Sequence, residues 1–317
     1  MNAGIFAEWL RAQGYHVFRT ASSYWYDAGP RVLQAFPYHW VIRPTEKELL
    51  DCLVQNRAIA LRYSTPVDNT VGRLSYHAVY DKPNYKLNDL ERRTRQNIRK
   101  GMKNCRVESV PFELLAEDGW LLETDTATRQ GRKVMMSKDI WRKRYLSAAD
   151  LPGFEAWGAF AEDRLVASLI TFQMEDCCEM ISQQCHRDYL KARVNNALSF
   201  LITQKMVERI GIKSIFYTIQ SLNAPASVDE FKFRMGYRAK PVRQRIVFHP
   251  VLAPIFNKFT YSVVQRIFNQ KPENSSLAKM EGMLRYYLEG KYPLTEQDWP
   301  NCLIGCKFGL DEAVSYG

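Results

Sequence analysis

Apolar positions recur along this chain in two rhythms, one of three- and four-residue steps and one of alternation, and the rhythms divide it into elements. Over residues 86–106, Leu87, Leu90, Thr94, Ile98 and Met102 align on one side of a predicted helix. Arg92, Arg93, Arg95, Arg99, Lys100, Lys103 and Arg106 collect on the other side. A strand is expected over 107–110, then helices over 112–128 and 138–148. The next block predicts strands at 155–161, 165–174 and 178–185, separated by turns at Glu162-Asp163-Arg164 and Glu175-Asp176. Leu198, Leu201, Ile202, Met206 and Ile210 mark an amphipathic helix stopped by Gly211. A short strand at 214–218, a helix at 228–235 ended by Gly236 and a final strand at 243–248 complete the alternation.

The flanks read differently. Residues 1–75 are rich in aromatics and turn formers, as in Ser22-Ser23-Tyr24-Trp25-Tyr26-Asp27-Ala28-Gly29-Pro30. Within them Thr45 and Glu48 form a capping-box pair ahead of Leu49, Leu50 and Leu53, and 58–63 reads as a strand. This is a small α/β piece. After residue 250, Leu252, Ile255, Phe256, Phe259, Val263 and Ile267 keep helical spacing, Lys271-Pro272 breaks it, and a further helix is expected over 277–288. That first stripe, with Lys258 and Arg266 beside it, fits a peripheral membrane contact, although packing on its own protein is the expected fate. The expected organisation is therefore a partial α/β region at 1–75, an α/β (α+β) domain with a mixed central sheet at 76–250, and a helical extension at 251–317.

Composition narrows the class. Hydrophobic residues at 46% and charged ones at 25% are ordinary globular values, which excludes disorder and fibrous repeats. The start of the chain has no signal-like pattern and no long uncharged apolar run occurs, so no transmembrane segment is expected. Seven cysteines without a paired framework point to a reducing, cytoplasmic setting. Cys302 and Cys306 have no partner pair to complete a zinc site, and no metal is expected. A net charge of +10 implies an anionic partner, phosphates above all, or a merely basic surface.

Three segments, in order, carry a family resemblance. The helix Leu90-Glu91-Arg92-Arg93-Thr94-Arg95-Gln96-Asn97-Ile98-Arg99-Lys100-Gly101 is similar to the arginine-rich helix opening the second GNAT-like domain of Fem-type aminoacyltransferases. Thr128-Arg129-Gln130-Gly131 resembles their T-x-x-R-x-G segment, and Phe231-Lys232-Phe233-Arg234-Met235-Gly236-Tyr237 their F-K-x-x-F-G-F segment. The resemblance spans about residues 80–250 and implies a GNAT-like sheet flanked by helices. It implies an N-acyltransferase that moves an acyl or aminoacyl group from an activated donor to an amine. Such chemistry rests on positioning and oxyanion stabilisation and needs no catalytic triad; none is readable here.

By the same resemblance Lys232 contacts substrate phosphate near the reaction centre, Phe231 shapes the pocket, and Arg129 is a candidate anion contact. A solvated lysine on an amphipathic helix is the alternative for Lys232. The stretch Asp188-Tyr189-Leu190-Lys191-Ala192-Arg193-Val194-Asn195-Asn196-Ala197 stands where GNAT proteins have a glycine-rich pyrophosphate loop. It has no glycine, which weighs against acyl-CoA as co-substrate. Lys191, Arg193, Asn195 and Asn196 at a helix start still offer an anion site, with an ordinary basic helix start as the alternative. Glu179 and His186 are candidate bases, and Tyr217 or Tyr237 candidate proton donors.

The donor stays open between acyl-CoA, a carrier-bound acyl group and aminoacyl-tRNA, and the acceptor between a small molecule and a cell-envelope precursor. Two other classes remain: a nucleic-acid-binding module built on the 92–106 basic face, and a non-catalytic relative that retains the fold.

Overall fold

The computed structural model of the chain describes residues 1–130, 136–222, 226–272 and 274–306, with the side chains at 226–228 and 306 left aside. Gly131 of the Thr128–Gly131 segment, the Cys306 side chain and the last part of the expected tail, 307–317, lie outside the described residues. The elements begin with α1 (Ala3–Ala12), β1 (Val17–Arg19), β2 (Tyr24–Gly29), β3 (Val32–Phe36), α2 (Glu46–Gln55), β4 (Ala60–Thr65) and β5 (Arg73–Tyr80). There follow α3 (Arg92–Asn104), β6 (Arg106–Val110), α4 (Phe112–Arg129), α5 (Lys138–Leu146), β7 (Phe154–Ala161), β8 (Arg164–Met174) and β9 (Cys177–Cys185). The last are α6 (Val194–Val207), β10 (Ser214–Ile219), α7 (Ala226–Arg234), β11 (Arg238–Phe248), α8 (Lys258–Gln270) and α9 (Ser275–Glu289).

Two compact units result, each discontinuous in sequence. The first gathers Met1–Gly14, Ala78–Thr218 and Ala226–Arg238; the second gathers Tyr15–His77, Ile219–Pro225 and Ala239–Gly317.

In the first unit β6, β7, β8 and β9 form an antiparallel meander, and β10 joins β9 in parallel. Glu162 and Asp163 both take positive φ between the paired Ala161 and Arg164, the two-residue hairpin conformation whose twist matches that of the strands. Successive β9 side chains face opposite ways. Gln184 donates to Glu123 of α4 at 2.9 Å, whereas Gln183 reaches α6, so helices cover both faces. Ile98, Leu169, Cys178, Met180, Leu198, Ile202 and Tyr237 fill the α6 side. On the other side α1 adds Phe6 and Trp9, which pack with Phe154 and Phe172 at centroid distances of 4.3–6.0 Å. The Trp9 and Trp141 indole N–H groups are satisfied by the Arg144 and Leu115 carbonyls, as buried indoles require.

In the second unit the strand order is β1-β2-β3-β4-β11, with β3 and β4 parallel and the remaining neighbours antiparallel. Trp25, Leu33, Leu49, Leu53, Leu61 and Tyr63 form a core under α2, while Ala60, Ile246, Phe248, Val264, Leu284 and Tyr286 form a second core toward α8 and α9. Thr45 caps α2 as expected, accepting from the Glu48 N–H at 3.1 Å. Glu48 does not close the box; its carboxylate instead takes the Ser22 hydroxyl at 2.6 Å and the Ser22 N–H at 3.0 Å.

Three expectations are corrected. Met102 is exposed rather than packed, because Gly101 takes its place against α6. Ile210 lies beyond the end of α6 at Val207 and is fully exposed. The tail stripe packs only in part: Phe256 lies against Phe248 with ring centroids 4.0 Å apart, while Ile255, Phe259, Val263 and Ile267 face solvent and only Val264 of α8 is buried.

Candidate functional site

The parallel ladder between β9 and β10 is short. It pairs Cys177–Glu179 with Ser214–Phe216 and stops, although β9 continues to Cys185 and β10 to Ile219. Just past that point β9 carries a bulge against β8: Ile170 faces Ser182 and Thr171 faces Met180, leaving Ile181 extra. A bulge bends its strand and sharpens the local twist, and it reverses the side-chain parity of every residue beyond it. Cys178 and Met180 face α6 before it, and Gln183 faces α6 after it.

Side chains bridge the strands where the ladder has ended. The Tyr217 hydroxyl donates to Gln183 Oε1 at 2.7 Å, and Gln183 Nε2 donates to Asn195 Oδ1 at 2.7 Å and to Ser199 Oγ at 2.8 Å. Below this network the Tyr237 and Thr203 hydroxyls meet at 2.7 Å, and the rings of Tyr217 and Tyr237 pack edge to face at 5.1 Å. From α7, Lys232 enters the same neighbourhood. It is buried, Nζ donates to Asp229 Oδ1 at 2.7 Å, and Nζ lies 5.9 Å from the centre of the Tyr217 ring. Burial pushes both phenols well above the usual tyrosine range, so each remains a neutral hydrogen-bond donor at physiological pH.

A cleft of about 240 Å³ adjoins these residues in sequence and is formed by three helices. α3 supplies Arg93, Thr94 and Asn97, the start of α6 supplies Arg193 and Asn196, and α7 supplies Phe231 and Arg234, with Glu91 at the edge. Among the described residues Arg93 and Arg193 are in no ion pair, whereas Arg234 stands 3.8 Å from Glu230. The cleft is therefore positive, and guanidinium groups suit phosphate or carboxylate.

Much of the backbone at the start of α6 is taken up internally. Arg193 holds a left-handed conformation, with φ 65°, and its carbonyl accepts from the Asn196 and Ala197 N–H groups. The Asn195 N–H is directed at the Cys185 thiol, which burial pushes up to about 12. A Cβ on Gly101 of α3 would overlap the Arg193 carbonyl oxygen and approach Ala197 Cβ to 2.8 Å, so glycine is what lets the two helices touch here. Anion contact at this end falls to side chains.

Of the residues singled out in the sequence, Lys232, Tyr237 and Asn195 come together in the bridged opening, and Arg193, Asn196 and Phe231 line the cleft. Glu179 sits on the last rung opposite Phe216 and points to the face away from Cys178 and Met180. His186 lies beyond β9, where Nδ1 is 3.4 Å from the Asp188 N–H and 3.5 Å from the Asp188 carboxylate. Arg129 is exposed at the end of α4, and Lys191 is exposed in the loop before α6. Gln183, Ser199, Asp229, Arg93 and Arg234 are additions from the structure. Gln183 had no signal of its own in the sequence, since it stands in the polar run Ser182-Gln183-Gln184 at the end of β9. Among the described residues no group of His, Cys, Asp and Glu is arranged to hold a metal ion.

No protein-family profile matches the chain, and no curated protein matches it. Solved structures do. The C-terminal domain of a protein assigned as a lysylphosphatidylglycerol synthetase from Agrobacterium fabrum aligns with a TM-score of 0.52 at 13% identity, over 79% of this chain and 89% of that one. FemX aligns with a TM-score of 0.53 at 11% identity, over 79% and 93%. A conserved protein of unknown function from Bacteroides thetaiotaomicron aligns with a TM-score of 0.50 at 8% identity, over 75% and 87%. The chain thus has the mixed sheet flanked by helices that the resemblance implied, and the Fem-type resemblance holds at the level of fold.

Proposed function

We propose that this chain is an acyltransferase that moves an acyl or aminoacyl group from a phosphate-bearing activated donor to an amine, with the reaction centre at the bridged opening between β9 and β10. The observation that carries this reading is the end of the parallel ladder after Phe216, with a buried lysine, neutral phenols and an amide network gathered at that point. The arginine-lined cleft beside it supports an anionic donor.

In this reading the donor phosphates lie against Arg93, Arg193 and Arg234, and the acyl carbonyl lies near Lys232 and the Tyr217 hydroxyl. The acceptor nitrogen attacks the carbonyl carbon, forming C–N. Charge gathers on the carbonyl oxygen, where the Lys232 ammonium favours it, joined by the Tyr217 hydroxyl once its proton turns from Gln183. The C–O or C–S bond to the donor then breaks, the nitrogen loses its proton to a base or water, and the leaving oxygen or sulfur takes one up. Orientation supplies about 7–11 kcal/mol in well-aligned intramolecular reactions, so the donor-binding residues matter as much as those at the carbonyl.

Aminoacyl-tRNA is the second reading for the donor, favoured by the exposed basic face of α3, where Arg92, Arg99, Lys100 and Lys103 all face solvent. The name of the lysylphosphatidylglycerol synthetase domain fits transfer of a lysyl group to a phospholipid. The test is transfer of radiolabelled acyl groups to a panel of amines from acetyl-CoA, longer acyl-CoAs and aminoacyl-tRNA. Activity with any donor that falls at least about a hundredfold in Lys232→Ala would support the proposal. Folded protein that transfers from none of them would sink it.

A further inference from the structure

We propose that α8 and the turn before it form a docking face for an anionic lipid bilayer. The inference is independent of the transfer reaction. On α8, Phe259, Val263 and Ile267 follow one another at four-residue steps and are exposed, Phe259 at 77%, and in the turn before it Val251 and Ile255 are exposed as well. Large apolar side chains aligned in one row on a surface mark an interaction site rather than chance exposure.

The exposure does not come from a loose helix. Asn257 caps α8, with Oδ1 accepting from the Phe259 and Thr260 N–H groups at 3.0 and 3.1 Å. On the inner side Val264 is buried and Tyr261 packs into the same core, its hydroxyl donating to Glu281 at 3.0 Å. The helix is anchored by one face, and the opposite face holds the apolar row outward.

Charge selects the occupant. From His249 to Pro272 the sequence contains Lys258, Arg266 and Lys271 and no aspartate or glutamate. At 3.6 residues per turn Arg266 falls beside Phe259 and Val263, and Lys258 falls farther round the same flank. An apolar row with cations along its border is the arrangement that seats a helix in the headgroup boundary, with apolar side chains inserted and cations at the phosphates. A second copy of the chain would bring more cations and no carboxylate from this segment to Lys258 and Arg266, whereas an anionic surface answers both.

The test is co-sedimentation of the full chain with vesicles of phosphatidylcholine alone and of phosphatidylcholine with phosphatidylglycerol in equal parts. Binding is expected to the anionic vesicles, weakened by salt, and to fall about tenfold or more in Phe259→Glu with Val263→Glu. Arg266→Gln should lower it about fivefold, the worth of one cation at an anionic surface. Circular dichroism and thermal unfolding of each variant separate loss of docking from loss of fold. Equal binding to both vesicles, binding unchanged in the folded variants, or a dimer in sedimentation that the glutamate variants dissociate would each overturn the proposal.

Discussion

His77 carries a polar interaction in the interior of the second unit: it is buried, and Nε2 lies 2.8 Å from the Ser64 hydroxyl. Burial, aided by the neighbouring His39 and Lys240, lowers its pKa from 6.5 to about 3. The sign of the consequence follows from proton counting. Between those values the unfolded chain holds a proton at this site and the folded chain does not, so acidification favours unfolding. The contribution is present above pH 6.5 and is lost as pH falls toward about 3. Urea unfolding at stepped pH should show wild-type stability falling faster than that of His77→Gln, by about 1.4 kcal/mol per pH unit over this range. Parallel curves for the two proteins would mean that the imidazole is not held neutral. Cys185 and the buried phenols work at the alkaline end instead, since their raised pKa values make unfolding easier only above the ordinary thiol and phenol range.

At the scale of elements, the contact between α3 and α6 decides the shape of the cleft. Alanine favours a helix over glycine by up to about 1 kcal/mol, so Gly101→Ala would stabilise α3 if nothing touched it. A Cβ there overlaps a backbone carbonyl, which no rotamer change relieves, and overpacking of this kind costs about 1–3 kcal/mol. The clash should win. Urea denaturation is expected to show a net loss of about 1–2 kcal/mol, and a rise in stability would mean that the helices do not meet at Gly101. This contact also marks where apolar spacing stopped being informative. The row Leu90, Thr94, Ile98 was legible and holds, but a count of apolar volume puts Met102 inward, since it cannot register a glycine whose value is the absence of a side chain. The antiparallel meander was legible for a related reason: its strands are apolar runs bounded by turn formers at Glu162-Asp163 and Glu175-Asp176. Lys232 and the start of α6 were reached through the family resemblance. Gln183 was not, because its direction depends on the extra residue at Ile181, and a period-two reading carries no trace of an insertion in register. The β2–β3 hairpin was hidden by its own turn, since Asp27-Ala28-Gly29-Pro30 reads as loop even where two short strands pair across it. α1 buries Phe6, Trp9 and Leu10, a row too short for apolar spacing to mark a helix.

At the scale of the whole molecule, a net charge of +10 favours any polyanion, so binding alone does not identify the donor. Its salt dependence does. A donor whose phosphates touch only Arg93, Arg193 and Arg234 engages three cations, and affinity should fall with a log-log salt slope of roughly −2 to −3. A tRNA lying also along Arg92, Arg99, Lys100 and Lys103 engages about seven, for a slope of roughly −5 to −6. Both slopes come from one titration series with coenzyme A and with tRNA, read by fluorescence anisotropy at stepped potassium chloride. Charge reversal at Arg99 and Lys103 then separates specific contact from general attraction. Those residues lie outside the cleft, so the variant should flatten the tRNA slope by about two cations and leave coenzyme A binding unchanged. If both ligands weaken together, the field of the whole surface governs attraction and α3 is not a tRNA contact. If neither changes, Arg99 and Lys103 contact neither ligand, and a tRNA path along this part of α3 is ruled out.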